Sequence, residues 1–167
     1  MRLPIIISAG LLLSFGLNLP VMSKSPVEIA QSPASNNLNL KRLQKRLDFN
    51  RNFWNKQNIS NYSYELSNSC FCIEDARGPV VIKVRNGVTT SITSVATGKD
   101  VKEYFQSYNT IPKLFDVIQD AIKRKAFSLN VRYDARFGYP TQIDIDYNSQ
   151  IADEEKYLTI KNFKVIK

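Results

Sequence analysis

The sequence predicts a two-layer α+β domain in which two helices cover one face of a largely antiparallel sheet of about six strands. Apolar residues recur at helical spacing in two segments, near residues 38–57 and 110–125. Alternating or β-branched segments follow in two groups of three, one group after each helix. Short connections within each group favour antiparallel neighbours, and two helices suffice to cover only one face of the sheet. The predicted order is therefore helix, three strands, helix, three strands.

The first predicted element is a basic amphipathic helix over residues 38–57. Its apolar positions are Leu40, Leu43, Leu47 and Trp54. Its basic residues fall mostly elsewhere around the axis, at Lys41, Arg42, Lys45, Arg46 and Arg51. Such a stripe most often packs on a protein core, so we expect this helix to cover the sheet. Contact of the helix with a membrane surface is the alternative.

Three strands are predicted next. Tyr62, Tyr64 and Leu66 alternate with polar residues, and the same face continues to Cys70 and Cys72. After a turn at residues 74–79, residues 80–84 and 88–95 form two further strands. Asn86-Gly87 between them is a strong hairpin signal, because both central positions of a type I′ turn need positive φ.

The second half begins with a short irregular or helical segment at residues 101–108. Thr110 is placed to cap the next helix, and Pro112 lies in its first turn, where a missing N–H costs nothing. Lys123, Arg124 and Lys125 suit the carboxyl end of that helix. Three last strands are predicted at residues 127–134, 141–147 and 156–163, so residues 38–167 are expected to form a single domain.

The amino terminus has the pattern of an export signal. Arg2 precedes an apolar run to Val21, and Val21 and Ser23 are small residues suited to a cleavage site. We predict a signal peptide at residues 1–23 and a periplasmic or extracellular protein after cleavage near Ser23. An uncleaved anchor is the alternative, since the run approaches the ~17–25 residues that span a bilayer. Residues 24–37, rich in proline, serine and asparagine, are predicted to be a flexible tether.

Composition excludes several classes of site. The chain has no histidine, which excludes Ser-His and Cys-His nucleophile pairs and histidine-bearing zinc sites, and two cysteines cannot form a four-cysteine zinc site. Loss of residues 1–23 would remove one basic residue, Arg2, and leave a net charge of +7, of which +5 lies in residues 24–60. For an exported protein this charge favours an envelope protein or an anionic surface as partner, rather than nucleic acid.

Cys70 and Cys72 are the candidate disulfide. Residues two apart in an extended strand have Cα atoms nearly ~7 Å apart, whereas a disulfide needs about 4.4–6.8 Å. The two cysteines can therefore bond only if the chain turns or bulges at Phe71. An oxidising compartment favours the bond. Two reduced packed thiols, a redox pair and a Cu(I) site are the alternatives.

A calcium-loop pattern is the candidate metal site. Asp144, Asp146, Asn148 and Glu155 occupy positions 1, 3, 5 and 12 of this pattern. Position 6 is Ser149, where the sharp turn needs glycine, and the segment before it is a predicted strand. We therefore expect no metal and no other cofactor, with a charged turn in place of the loop.

Enzymatic function is not expected. The carboxylates considered for acid–base hydrolysis are those of Asp134, Asp144 and Asp146. They fall at predicted strands and turns, and this placement does not indicate a catalytic pair. The aromatic residues Tyr133, Phe137, Tyr139 and Tyr147 are expected to pack around the turn at Gly138 and Pro140, with ligand binding as the alternative.

The chain resembles an uncharacterised family of exported bacterial domains of unknown function. The resemblance rests on Tyr62-Ser63-Tyr64, Cys70-Phe71-Cys72 and residues 80–87, and continues in Leu114-Phe115-Asp116. It also includes Tyr133-Asp134, Gly138-Tyr139-Pro140-Thr141, Ile145-Asp146-Tyr147 and Asp153-Glu154, and so covers roughly residues 60–163. It implies an exported, often membrane-tethered module with no assigned activity. Members commonly carry a lipoprotein cysteine, which this chain lacks near its predicted cleavage site, so lipid anchoring is not implied.

The function predicted from these features is that of a non-enzymatic binding or structural module at the bacterial cell envelope. A thiol redox or Cu(I)-handling protein that uses Cys70 and Cys72 is the first alternative. A calcium-binding module that uses residues 144–155 is the second.

Overall fold

The computed structural model describes residues 33–151 and 153–166, with the side chains of residues 39–151 and 153–166. The predicted signal peptide at residues 1–23 and residues 24–32 of the predicted tether lie outside these residues. Among these residues the structure has two α-helices, α1 (Pro33–Lys56) and α2 (Ile111–Lys123). The strands are β1 (Tyr62–Ser69), β2 (Val80–Arg85), β3 (Val88–Ser94), β4 (Ser128–Tyr133), β5 (Pro140–Asp146) and β6 (Lys156–Val165). Short 3₁₀ helices, η1 (Glu74–Ala76) and η2 (Lys102–Phe105), occur in two of the connections.

The predicted fold class is confirmed. The six strands form one open sheet in the order β3-β2-β1-β6-β5-β4, and every neighbouring pair is antiparallel. Each group of three consecutive strands is a meander, and the two meanders join through the pairing of β1 with β6 at the centre of the sheet. The order of helices and strands is also the predicted one.

The core lies between the helices and one face of the sheet. Alternate residues of each strand are buried on this face, as in β1, where Tyr62, Tyr64 and Leu66 are buried and Ser63 and Glu65 are partly exposed. The edge-to-face contact of Trp54 in α1 with Tyr62, at 5.5 Å between ring centroids, packs α1 on the centre of the sheet. The opposite face carries the polar residues of the alternation.

The first helix begins earlier than predicted. It starts at Pro33, inside the predicted tether of residues 24–37, rather than at Leu38. Proline is tolerated in the first helical turn, since the amide groups there have no partner within the helix. The low apolar content of residues 33–37 therefore does not prevent the helix from extending through them. The boundary predicted at residue 38 was wrong by one and a half turns.

The second helix begins as predicted. The side chain of Thr110 accepts a hydrogen bond from the amide of Lys113 at 3.3 Å, and proline lies in the first turn. Apolar residues at helical spacing, among them Leu114, Phe115 and Ile118, are buried. Neither helix of the described residues is long and apolar enough to cross a membrane.

Candidate functional site: the cystine loop

The cystine loop, residues 70–77, forms most of the connection from β1 to β2. β1 ends at Ser69, before the two cysteines, and the chain bends at residues 70–72. The Sγ atoms of Cys70 and Cys72 lie 1.98 Å apart, at bonding distance, and their Cα atoms are 5.3 Å apart. The bend therefore shortens the ~7 Å spacing of an extended strand to one that a disulfide accepts. The expected continuation of the strand face to Cys72 was wrong, because the strand stops and turns first.

Hydrogen bonds fix the cystine loop at both ends. The amide of Asn68 donates to the carbonyl oxygen of Arg77 at 2.6 Å, and the Asn68 side chain donates to the carbonyl oxygen of Ala76 at 3.4 Å. Within the loop, Nε of Arg77 donates to the carbonyl oxygen of Cys72 at 2.8 Å. The single turn of η1 follows, in which the amide of Ala76 donates a hydrogen bond to the carbonyl oxygen of Ile73. The backbone of the loop is thus held by contacts that span its length.

The apolar side chains of this anchored loop point to solvent. Phe71 is 85% exposed and Ile73 is 59% exposed. Both residues lie in the connection after the end of β1, outside the alternation of the sheet that places side chains in the core. The structure thus presents two large apolar side chains, two residues apart, on a fixed support.

The surface beside the loop is formed by η2 and the end of β3. η1 packs against η2, and Tyr104 in η2 is exposed. A hydrogen bond to the carboxylate of Glu103 raises the pKa of Tyr104, and the more distant charge of Asp75 in η1 adds a smaller effect. Val95, after β3, is exposed, and its amide donates to the carbonyl oxygen of Pro79 at 2.9 Å. The loop therefore lies at the end of the sheet within a surface that mixes apolar and acidic groups.

The residues of the calcium-loop pattern lie on β5 and in the connection to β6. The Asp144 carboxylate accepts a hydrogen bond from the Gln142 side chain at 2.7 Å. The side-chain oxygen of Asn148 accepts a hydrogen bond from the amide of Gln150 and so caps a local turn. One oxygen of Asp146 is buried without a hydrogen-bond partner. Within residues 33–151 and 153–166, no three side chains of the types that ligate metals are grouped to hold an ion. Calcium binding by Asp144, Asp146, Asn148 and Glu155 is an untested alternative to the expectation of no metal, and calorimetry with calcium would test it.

The three aspartates considered for acid–base chemistry are not brought together. Asp134 caps the β4–β5 turn, where its carboxylate accepts from the amides of Arg136 at 2.9 Å and Phe137 at 2.7 Å. Asp144 and Asp146 lie further along β5, at its opposite end, and point to the polar face of the sheet. Asp134 thus has a structural role of its own, and the arrangement offers no matched pair that includes it.

The four aromatic residues divide between two locations. Phe137 and Tyr139 pack on Phe163 with ring centroids 5.6 and 4.6 Å apart, as expected for packing around the turn. Tyr133 instead stacks on Phe115 of α2, at 6.4 Å. Tyr147 donates a hydrogen bond to the carboxylate of Asp120 at 3.2 Å. The guanidinium carbon of Arg124 lies 3.9 Å from the centroid of the Tyr147 ring. The expectation that all four surround one turn was wrong, because α2 lies close enough to engage two of them.

Sequence reasoning did not single out Phe71 and Ile73, which are the apolar side chains of the cystine loop. The available signal was local. A bond between Cys70 and Cys72 requires a bend at Phe71, which removes this residue from the alternation of the strand. The exposure of Ile73 depends on the path of the chain into η1, which the sequence pattern does not specify.

Comparison with known proteins places most of the domain in one family. The model of a family of unknown function (DUF6174) matches residues 46–165. This range includes all six strands, α2 and the cystine loop. No curated protein and no solved structure matches the chain.

Proposed function

We propose that this chain, which belongs to the DUF6174 family of unknown function, is an exported, non-enzymatic binding module of the bacterial cell envelope. Its docking element is the cystine loop, and Phe71 and Ile73 are the side chains that enter an apolar pocket on a partner protein. The observation that carries the proposal is the exposure of these two residues on a loop fixed by a disulfide and backbone hydrogen bonds.

The fixed backbone favours binding because it lowers the entropy that a loop loses when a partner orders it. For a mobile surface loop, the entropy lost on ordering reduces the net binding free energy. A loop that is held in place before binding avoids this loss. The contacts of Asn68 and Arg77 with the loop backbone have this effect. The disulfide adds a covalent constraint within the same few residues.

The exposed side chains supply the driving force. Large apolar or aromatic anchors carry much of the binding energy at protein interfaces. Burial of one such side chain is worth about 1.5–3 kcal/mol. Phe71 and Ile73 together would thus contribute a substantial share of a transient interaction. The acidic residues Glu74 and Asp75 directly follow them, which favours a pocket with a basic rim.

Export is supported by two features of the sequence. The amino-terminal segment has the pattern of a signal peptide, with Arg2 before an apolar run and small residues at Val21 and Ser23. A disulfide between neighbouring cysteines is also stable in an oxidising compartment and rare in the cytosol. Both features favour the periplasm or the extracellular space.

A photo-crosslinking amino acid at position 71 tests the proposal in the native envelope. Position 127 provides the matched control, because Phe127 is 68% exposed and lies before the edge strand β4. We expect a discrete adduct from position 71 and none from position 127. Equal adducts at both positions, or no adduct at position 71, would contradict a docking role for the loop.

A thiol function is the second candidate, since both cysteines are partly exposed at the surface. Reduction of the disulfide by an external dithiol, which is itself oxidised to a disulfide, would give two thiols, and on loss of their protons these exchange with another disulfide or bind Cu(I). The variant with Cys70→Ser and Cys72→Ser separates the candidates. A binding module retains measurable crosslinking at position 71 with lower yield, whereas a redox or copper protein loses its function completely.

A further inference from the structure

The outward side of α1 is a second surface with an unusual composition. Its residues Lys41, Arg42, Lys45, Phe49, Asn52 and Lys56 are all exposed, and we refer to them as the basic face. At 3.6 residues per turn they occupy an arc of about 100° around the helix axis. The buried side chains Leu47 and Trp54 lie on the opposite side, against the sheet.

The basic face contains four cations and no acid. Asp48, at the margin of the arc, accepts a hydrogen bond from the Gln44 side chain at 2.8 Å. Of the residues that the structure describes, none forms an ion pair with a cation of the basic face. The other two cations of the helix are engaged, because Arg51 pairs with Asp116 at 3.1 Å and Arg46 donates to the carbonyl oxygen of Val131.

The basic face carries charge of one sign only. Lys41 and Lys45 are four residues apart and therefore adjacent on the helix, where like charges repel each other. Solvated surfaces of small domains usually intersperse both signs of charge. Phe49 lies one turn beyond Lys45 on the same arc and is 70% exposed. An anionic surface with an accessible apolar layer would relieve both the repulsion and the exposure of the ring.

We propose that the basic face of α1 lies on an anionic phospholipid bilayer. The ammonium and guanidinium groups contact lipid phosphates, and the ring of Phe49 enters the boundary between headgroups and acyl chains. The charges alone fit any anionic polymer, whereas the exposed ring among them favours lipid. This site is separate from the cystine loop, so the two proposals stand or fall independently.

The size of the effect follows from the charges. Each basic residue near an anionic membrane strengthens binding by about fivefold, and the attraction falls as salt screens it. Loss of two lysines should therefore weaken binding about 25-fold at low ionic strength. Loss of the ring should weaken it further without changing the salt dependence.

Cosedimentation with vesicles measures this binding. The chain from residue 24 onward is suitable, since Ser32–Lys167 form one compact unit and the apolar amino terminus would bind any bilayer. The vesicles contain phosphatidylglycerol or, for comparison, phosphatidylcholine alone. The test variant carries Lys41→Gln and Lys45→Gln. Its control carries Lys83→Gln and Lys161→Gln, an equal loss of charge from the exposed polar face of the sheet.

A second pair of variants tests the ring. Phe49→Ala is compared with Phe127→Ala, since both rings are exposed to a similar extent. We expect at least fivefold weaker binding to phosphatidylglycerol for Phe49→Ala and no change for Phe127→Ala.

The outcomes distinguish the proposal from its rivals. Tight binding to phosphatidylglycerol alone, with the stated losses for the two α1 variants, supports it. Equal binding to both kinds of vesicle, or equal losses for the two lysine pairs, would overturn it. Wild-type binding by Phe49→Ala, with soluble polyglycerol phosphate as an effective competitor, would also overturn it and point to an anionic polymer.

Discussion

The hydroxyl of Tyr64 donates a 2.7 Å hydrogen bond to the carbonyl oxygen of Tyr108, which lies 44 residues away along the chain. Tyr62, two residues earlier on the same buried face of β1, accepts a hydrogen bond from the amide of Ile111 at 3.1 Å. Ile111 is the first residue of α2. Two tyrosines of the central strand thus position the start of the second helix on the sheet.

The contact of Tyr64 with Tyr108 should stabilise the fold measurably. Tyr64→Phe keeps the ring and removes the donor, which leaves a carbonyl oxygen without its partner in the core. We expect a loss of about 1–3 kcal/mol in the free energy of unfolding, measured by urea denaturation. The exposed Tyr157→Phe is the control, with a change within about 0.5 kcal/mol. Equal small changes in both variants would show that the hydrogen bond contributes nothing.

The buried tyrosines predict a loss of stability at alkaline pH. Desolvation raises the pKa of Tyr62 from 10.0 to about 12, and burial raises the pKa of Tyr64 well above its usual value. Between pH 10.0 and about 12, Tyr62 keeps its proton in the folded chain and loses it in the unfolded chain. The contribution of this tyrosine to the free energy of unfolding is therefore complete below pH 10.0 and declines as the pH rises towards 12.

The expected decline is about 1.4 kcal/mol per pH unit for each such tyrosine. Urea denaturation at a series of pH values measures it, together with an absorbance titration of phenolate in the folded protein. Ionisation of every tyrosine near the ordinary pKa, in protein that is still folded, would contradict the buried positions of Tyr62 and Tyr64.

Gly138 should tolerate no side chain. It has a φ of 79°, and a Cβ atom there would lie 2.9 Å from both the carbonyl oxygen of Asn50 and the Phe53 ring. Gly98 has a similar φ of 70° with open space around it. Gly98→Ala should therefore cost about 1–2 kcal/mol from backbone strain alone. Gly138→Ala should cost clearly more in a thermal or urea melt, and equal costs would show that α1 does not pack closely there.

Removal of the disulfide should affect stability modestly. The bond closes a loop of only three residues, so the chain-entropy model gives about 2 kcal/mol at most. The variant with Cys70→Ser and Cys72→Ser should therefore fold, with a lower urea midpoint and an unchanged slope. Failure of this variant to fold would show that the bond organises more than its own loop.

The local features of the fold were accessible from the sequence. The cap of α2 at Thr110 and the turn at Asn86-Gly87, with φ values of 51° and 76°, follow from the conformations that these residue types prefer. Apolar periodicity likewise predicted five of the six strands of the described residues within one or two residues of their observed bounds, and for β1 it predicted the start but not the end. These predictions succeeded because each depends on neighbouring residues alone.

Features that depend on distant parts of the chain were not accessible. The pairing of β1 with β6 joins residues such as Leu66 and Ile160, and nothing in either strand specifies the other. The space available at Gly138 is set by Asn50, in another element. The exposure of Ile73 depends on the path of the chain into η1, which is local but has no signature in the apolar pattern. The sequence therefore predicted the Cys70–Cys72 pair of the candidate site, whereas the exposed apolar side chains beside it emerged only from the path of the chain.

The intact mass of the protein from its native cells, after treatment with a thiol-alkylating reagent, tests the central claim most directly. The claim is that an exported chain carries a closed Cys70–Cys72 loop that presents Phe71. We predict a mass that begins at Lys24 and includes no alkyl group. A chain that retains Met1, or one that carries two alkylated thiols, would contradict the account.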